Sequence, residues 1–288
     1  MRLGVNVPNF GPGTDPDALA SWARVVEGLG YDLLMVSDHV VITPDVAEQY
    51  PAPFYEPFTT LSWLAGITGR VRLGTTVLIA PYRHPLLVAR MAANLNRLSG
   101  GRLVLGVGVG WAKEEFAALG AEYTARGRTT DDYLAAIRTA WADGVDDYQS
   151  GAIPIWVGGN SGAAQRRAVR LGDAWHPLRF TLPWLRGALP GIAAAAADAG
   201  RPVPALAPRI SLRITDTPVA GDDRLAGTGT IGQVRADLDD LAGLGAETTL
   251  LDPFNGDPEE TRHPEHAWQA LAAVAAGRET TTTSQERA

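Results

Sequence analysis

The chain has 288 residues, 45% of them apolar, a net charge of −7 and no cysteine. That length suits one large α/β domain or two ordinary ones with a sizeable core, and the lack of cysteine excludes disulfides, thiolate metal sites and cysteine nucleophiles together. The acidic balance, with no basic stretch interleaved with aromatics, argues against a nucleic-acid partner. With no long apolar segment at the N-terminus and no run of ~18 apolar residues, a soluble, cytoplasmic protein without a membrane partner is expected.

Leu3–Val7 reads as the first strand. Asp15 and Pro16 then supply N-cap and N1 chemistry for a helix whose apolar face is Leu19, Trp22, Ala23, Val26 and Leu29, with Gly30 as the stop. Leu33–Val36 is the second strand, and Pro57–Thr68 its helix after a long loop rich in proline and aromatics. Val71–Ile79 is the third strand; Leu87, Val88, Met91, Leu95 and Leu98 share one face of the next helix. Arg102–Val107 is the fourth strand, followed by a helix over Thr129–Asp143. Ile153–Val157 and the helix Gly162–Leu171 come next, then Asp173–His176 and the helix Trp184–Ala199. Arg209–Thr215, Gly232–Leu244, Glu247–Asp252 and Glu265–Ala276 complete the series, and the polar tail 277–288 is expected to be disordered.

Strands alternating with helices mean a parallel sheet. Eight such units in roughly 250 residues match a single (β/α)8 TIM barrel over residues 1–276, with a doubly wound open sheet as the rival. The long connections Val40–Glu56, Trp111–Arg128 and Asp216–Thr230 all follow strands, which in a barrel gathers them at the C-terminal mouth.

The second strand runs straight into Asp38 and His39, which places an ionisable pair at that mouth. Near its ordinary pKa a histidine serves as acid or base, or bonds a redox-active ring, and Asp38 could set its tautomer or line a cofactor cleft. The plainer reading is a loop cap beside a structural imidazole. His176, ending the sixth strand, is the one competing histidine; no histidine spacing suits a metal. Gly106, Gly108 and Gly110 follow the fourth strand, where glycine permits close approach of a flat ligand or simply tight packing. Gly158, Gly159, Asn160 and Ser161 join the fifth strand to a helix N-terminus, an arrangement that serves a phosphate, an N-cap or both. The G-x-G-x-x-G of Gly227–Gly232 has no strand before it, so it reads as a loop and cap rather than a dinucleotide site.

The stretches MRLGVNVPNFG, GYDLLMVSDHV, RVRLGTTVLIAPYRHPLLVARMAANLNRLSGGRLVLGVGVGW and IWVGGNSGAAQRRAVRLGDAWHP together resemble the bacterial luciferase-like monooxygenase superfamily. More narrowly they resemble its short members that use the deazaflavin F420. The likeness weakens over Thr181–Thr230 and returns in TGTIGQVRADLDDLAGLGAETTLL.

The resemblance implies a TIM barrel that binds F420, or alternatively FMN, at its mouth. It makes His39 the catalytic residue and Asp38 its acidic neighbour beside the ring. It places Thr76 and Val77 beneath the ring, at a position where many members carry a cis peptide. Gly108, Val109, Gly110 and Trp111 would line the ring, Gly158, Gly159, Asn160 and Ser161 the phosphate, and Trp175, in a family-like stretch, would be a further cofactor-binding residue. Tyr50, Phe54, Tyr55 and His176 would wall a pocket for a small organic substrate. Homodimers are common in the family. Two departures matter: Trp111 stands where sugar-phosphate dehydrogenases of the F420 branch carry an acid, and the reactive cysteine of luciferases is missing. Hydride transfer by F420H2 is the first expectation and oxygen insertion by FMNH2 the second. A non-redox barrel for a phosphorylated metabolite is a third, although the single lysine, Lys113, lies in a loop and so disfavours a Schiff-base aldolase.

Overall fold

In the computed structural model, which describes residues 1–143, 153–254 and 256–285, the alternating pattern becomes a ring of parallel strands. β1 (Arg2–Asn6) pairs with β2 (Leu33–Val36), and β2 with β3 (Arg72–Thr75). The third barrel strand resumes as β4 (Leu78–Ile79), and both pieces pair with β5 (Leu103–Gly108). β6 (Ile155–Gly158) and β7 (Ala174–His176) follow. The seventh barrel strand is also split, into β8 (Ala205–Leu206) on β7 and β9 (Arg209–Ser211) on the eighth strand, β12 (Thr248–Asp252). β12 pairs back to β1, so with each split strand counted once the eight-stranded barrel closes.

The closure has a seam. Toward β7 the seventh strand is continuous: the Ala207 N–H donates to Trp175 O at 2.9 Å and the Arg209 N–H to Pro177 O at 2.8 Å. Toward β12, Leu206 O accepts from the Glu247 N–H at 2.9 Å and Pro208 O from the Leu250 N–H at 2.8 Å. Between those rungs the seventh strand advances from 206 to 208 and the eighth from 247 to 250, so the eighth carries an extra residue, as in a bulge. Pro208 sits opposite it and has no N–H to offer a rung.

The strands read as nearly continuous apolar runs because both faces are covered. Leu33, Met35, Val104, Trp156, Ala174, Ala207 and Leu250 fill the barrel interior as one cluster. Leu34, Val36, Leu105, Ile155, Val157 and Leu251, at the alternate positions, pack outward under the helices. A filled interior leaves ligand room only above it.

The covering helices follow their sequence signals. α1 (Pro16–Gly28) is capped by Asp15, whose carboxylate accepts from the Ala18 N–H at 2.8 Å, and Gly30, at φ 76°, turns the chain into β2. The short α2 (Pro44–Ala47) lies in the long loop before α3 (Pro57–Ile67), and α4 (Pro85–Leu98) follows the third strand. The connection after the fourth strand holds α5 (Lys113–Ala118), a helix that its polar sequence did not announce, before α6 (Arg126–Ala142). α7 (Gly162–Leu171), α8 (Leu182–Asp198), α9 (Ile231–Gly243) and α10 (Pro264–Gln285) complete the ring.

Four differences from the sequence expectations stand out. The third strand is interrupted at Thr76 and Val77, where the peptide is cis. The seventh strand begins at Ala205 rather than Arg209, since Pro202, Pro204 and Pro208 mask its apolar pattern. Beyond it, β10 (Arg213–Ile214) and β11 (Thr228–Gly229) form a separate two-stranded ladder, and Thr230 and Gln233 cap α9 with a capping box. Finally, α10 runs to Gln285, into the tail expected to be disordered, because extending a nucleated helix needs only one further bond per residue; 286–288 of that tail lie outside the described residues.

The third and fourth strands pack so closely that a Cβ on Gly106 would lie 1.9 Å from the Thr75 carbonyl oxygen. Gly106→Ala should therefore lower the unfolding free energy by about 1–3 kcal/mol through overpacking, read as a shift in the urea midpoint. An unchanged midpoint would refute this packing.

Candidate active site at the barrel mouth

A cavity of about 240 Å3 opens at the C-terminal ends of the strands. It gathers Asp38, His39, Tyr50, Thr76, Val77, Gly108, Val109, Gly110, Trp111, Gly158, Gly159 and His176 from six separate stretches of sequence. Ser37, Ile79, Leu178 and Arg209 line it as well and were not among the expected residues.

His39 is buried at its centre and caged by aromatic rings. Tyr50 stacks on it at 5.3 Å between centroids, while Phe54 and Trp111 stand edge-on at 5.5 and 5.7 Å. Its tautomer is set by Glu115 rather than by Asp38. Nδ1 of His39 lies 2.6 Å from Oε2 of Glu115, a wholly buried side chain. Glu115 also accepts from the Val40 and Val41 N–H groups at 2.6 and 3.1 Å and from the Tyr82 hydroxyl at 2.9 Å. Burial alone would raise this carboxyl, but the His39 and Val40 bonds outweigh it and hold Glu115 below the usual carboxylate range. The ionised carboxylate requires a proton on Nδ1, which leaves Nε2 to the cavity.

Asp38 has a different task. Its carboxylate takes a two-pronged ion pair from Arg83 at 2.7 and 2.9 Å and the Ile79 N–H at 2.8 Å. Burial raises its carboxyl, with Arg83 pulling the other way. Asp38 thus ties the end of the second strand to the third-strand loop, a pairing that also fixes where His39 stands.

The cavity floor is a second buried network. Arg209 donates from Nε and Nη2 to Asp252 at 3.0 and 2.6 Å, and from Nη1 to the Thr76 carbonyl at 3.0 Å and the Thr76 hydroxyl at 3.2 Å. Asn6 completes Asp252 with a bond of 3.0 Å. The Thr76 hydroxyl lies 3.0 Å from Nε2 of His176, whose Nδ1 donates to the Ala207 carbonyl. Burial, opposed by that carbonyl and aided by the Arg209 cation, lowers the His176 pKa to about 4. His176 is therefore a neutral acceptor for Thr76.

The other expected residues are placed less directly. A Cβ on Gly108 would lie 2.5 Å, and one on Gly158 2.9 Å, from the Val77 side chain, and one on Gly110 2.7 Å from Ile79. These glycines make room for the third strand as well as lining the cavity. Both ends of the Asn160 amide are engaged by Leu178, at 2.7 and 3.0 Å, so the side chain clamps a neighbouring loop. Ser161 is the N-cap of α7, accepting from the Ala164 N–H at 3.2 Å. Trp175 faces the outer core and supports the loop by donating to the Gly159 carbonyl at 2.9 Å. Tyr55 donates its N–H to the Asn9 carbonyl and accepts from the Asn9 side-chain amide at the base of the long loop, and it does not line the cavity.

Two outcomes follow from these networks. A histidine held at about 4 against an ordinary 6.5 penalises only the folded state on acidification, so the stability present above pH 6.5 is lost as pH falls toward 4. The unfolding free energy of wild type minus that of His176→Asn should fall by about 3 kcal/mol between pH 7 and 4; a flat difference would contradict the neutral His176. Glu115→Gln places an amide N–H2 where Nδ1 of His39 now donates, so the 15N spectrum of His39 should show Nδ1 deprotonated. The depressed carboxyl of Glu115 makes the wild-type pairing intact above the ordinary carboxylate range and lost below its lowered value, which an acid titration of the same signal reads.

Comparison with known proteins places this geometry. The chain is 29% identical over 180 residues to an uncharacterized protein of Mycobacterium tuberculosis, covering 53% of this chain and 62% of that one. It is 33% identical over 168 residues to the phthiodiolone/phenolphthiodiolone dimycocerosates ketoreductase of the same organism, covering 51% and 44%. It thus spans less than two thirds of either relative. Among solved structures, a monooxygenase from Streptomyces bottropensis superposes with a TM-score of 0.76 at 22% identity, covering 97% of this chain and all of that one (100%). An F420-dependent secondary alcohol dehydrogenase bound to an F420–acetone adduct gives 0.74 at 16% identity, covering 95% and 99%. The FMN-bound oxygenating component of 3,6-diketocamphane monooxygenase from Pseudomonas putida also gives 0.74 at 16%, covering 96% and 97%. These likenesses carry the fold, and no helix among the described residues is long and apolar enough to cross a membrane. The family model described as luciferase-like monooxygenase matches residues 1–224, and the chain belongs to that family.

Proposed function

We propose that the chain is an oxidoreductase that passes a hydride between F420 and a small organic carbonyl or alcohol at the barrel mouth. The observation that carries this reading is the His39–Glu115 pair, whose free Nε2 faces a cavity walled by aromatic rings and floored by Thr76 and Val77. The ketoreductase relative supports carbonyl chemistry, and an F420–acetone adduct in a protein of the same fold supports the cofactor.

The residues present fit such a group. At about 240 Å3 the cavity is smaller than the ~300–1,000 Å3 of sites that enclose a whole ligand, so it suits one planar end with the remainder outside. Outside, α7 turns its N-terminus and the Ser161 cap toward solvent, and Arg166 folds back so that a Cβ on Gly162 would lie 3.3 Å from its Nη1. That end would hold a phosphate through backbone N–H groups and a nearby cation.

When bound, a reduced deazaflavin supplies two electrons and one hydrogen as hydride to an electrophilic carbon. The chain supplies the rest. His39 presents a proton from Nε2 to the oxygen that gains negative charge, and Glu115 steadies the imidazolium before transfer. Tyr50, Phe54 and Trp111 exclude water around it. His176 stays neutral and keeps the Thr76 hydroxyl in place.

The test is a binding and turnover comparison. The purified protein should quench F420 fluorescence and oxidise F420H2 with a ketone in the absence of oxygen. His39→Ala should cut turnover by about 10²–10⁴-fold while cofactor affinity stays within about twofold. Oxygen-consuming turnover with FMNH2, together with no F420 binding, would replace this reading by a flavin monooxygenase. Full turnover of His39→Ala under saturating cofactor would remove His39 from the mechanism.

A further inference from the structure

We propose that Arg179 and Arg213 form an anion-binding subsite beside the mouth, for a carboxylate, sulfonate or phosphate carried by a molecule whose reacting end lies at His39. The assignment rests on the reading of the His39 cavity as the reacting end. A second cavity, of about 590 Å3, is lined by residues next in the chain to some that line the first. Three pairs of neighbours along the chain link them: Tyr50 and Leu178 line the first, while Gln49 and Arg179 line the second, and Arg209 of the first is followed on the same strand by Ser211 of the second. Alternate residues of a strand point the same way, so Arg209 and Ser211 share a face of β9, and Arg213 opens β10 two residues further on. At ~3.3 Å per residue the four-residue step keeps Arg213 within about 13 Å of Arg209 along the backbone.

The charge in this second cavity is uneven. Arg224 is committed to the buried Asp237 through two bonds of 2.8 and 2.5 Å. Arg179 and Arg213, with one carboxylate, Asp223, remain at the lining. Among the described residues, no side-chain bond or ion pair engages either arginine. Two guanidiniums facing one recess give an acidic protein of net charge −7 a place where anions concentrate.

The backbone at Arg179 is also held in place. It is the one non-glycine residue with positive φ, 47°, among the described residues, and it directly follows Leu178, whose N–H and C=O are both clamped by Asn160. A chain of aromatic rings links the two linings. Phe254 lines the second, packs edge-on to Phe10 at 4.8 Å and lies 6.3 Å from Tyr50, which stacks on His39. The ligand so described has an apolar body, a reactive end and an anionic end.

The experiment uses the full chain and two dyes that differ by a sulfonate, 1-anilinonaphthalene-8-sulfonate and N-phenyl-1-naphthylamine. Arg179→Asn, which tolerates positive φ, is combined with Arg213→Gln. The double variant should bind the sulfonate dye about tenfold more weakly, a difference of one anion contact, while the neutral dye binds as in wild type and reports an intact fold. Equal effects on the two dyes, or none, overturn the subsite. Two arms separate the sources of the anion. Weakened F420 binding with unchanged binding of its phosphate-free riboside assigns the subsite to the cofactor. Unchanged F420 binding with weakened sulfonate dye on the F420-loaded protein assigns it to the substrate. A wild-type protein that binds neither F420 nor FMN, yet shows the arginine-dependent dye difference, would overturn the redox reading and keep the subsite.

Discussion

The guanidinium of Arg209 crosses the top of the barrel interior and joins parts of the ring that are far apart in sequence. It holds Asp252 of β12 on one side and both polar atoms of Thr76, past the end of β3, on the other. A buried cation is tolerated only where its charge and its donors are met, and here the requirement fixes three strand ends at once. The Thr76 hydroxyl is then oriented toward His176, and the cation helps keep that imidazole neutral. The floor of the site is in this sense preorganised before any ligand arrives.

How much of this was legible in the sequence differs from residue to residue. Asp38 and His39 could be placed because a buried strand ended in ionisable groups, and a barrel puts such ends at one mouth. Their partners could not. Glu115 stands beside Glu114 in a short polar helix, and nothing local tells the buried one from its solvated neighbour. Arg83 and Arg209 likewise look like ordinary surface cations until the topology brings each against a carboxylate. The glycines were read as leaving room for a ligand or as tight packing, and they do pack tightly against Val77 and Ile79 while lining the cavity. Trp175 was readable and misread: successive residues of a strand face opposite ways, so with His176 in the cavity Trp175 had to face the core.

The carboxylate that sugar-phosphate dehydrogenases of the F420 branch were expected to show at position 111 has a counterpart here, displaced. Trp111 presents an indole to the cavity, and Glu115, about one helical turn further on, reaches His39 from behind. Of the two, His39 lines the cavity and Glu115 backs it. On the function proposed above, the arrangement suits a single proton delivered or removed beside the transferred hydrogen.

The interrupted seam at Pro208 gives the ring an elastic weak point. A ladder lacking a rung opens locally at lower free energy than its neighbours, and this gap lies at the base of β9, immediately before Arg209. The same strand carries Arg209, so any loosening there reaches Asp252 and Thr76 at the floor of the site through its guanidinium. The uninterrupted pairing of β1 with β2, by contrast, braces the segment that leads into His39.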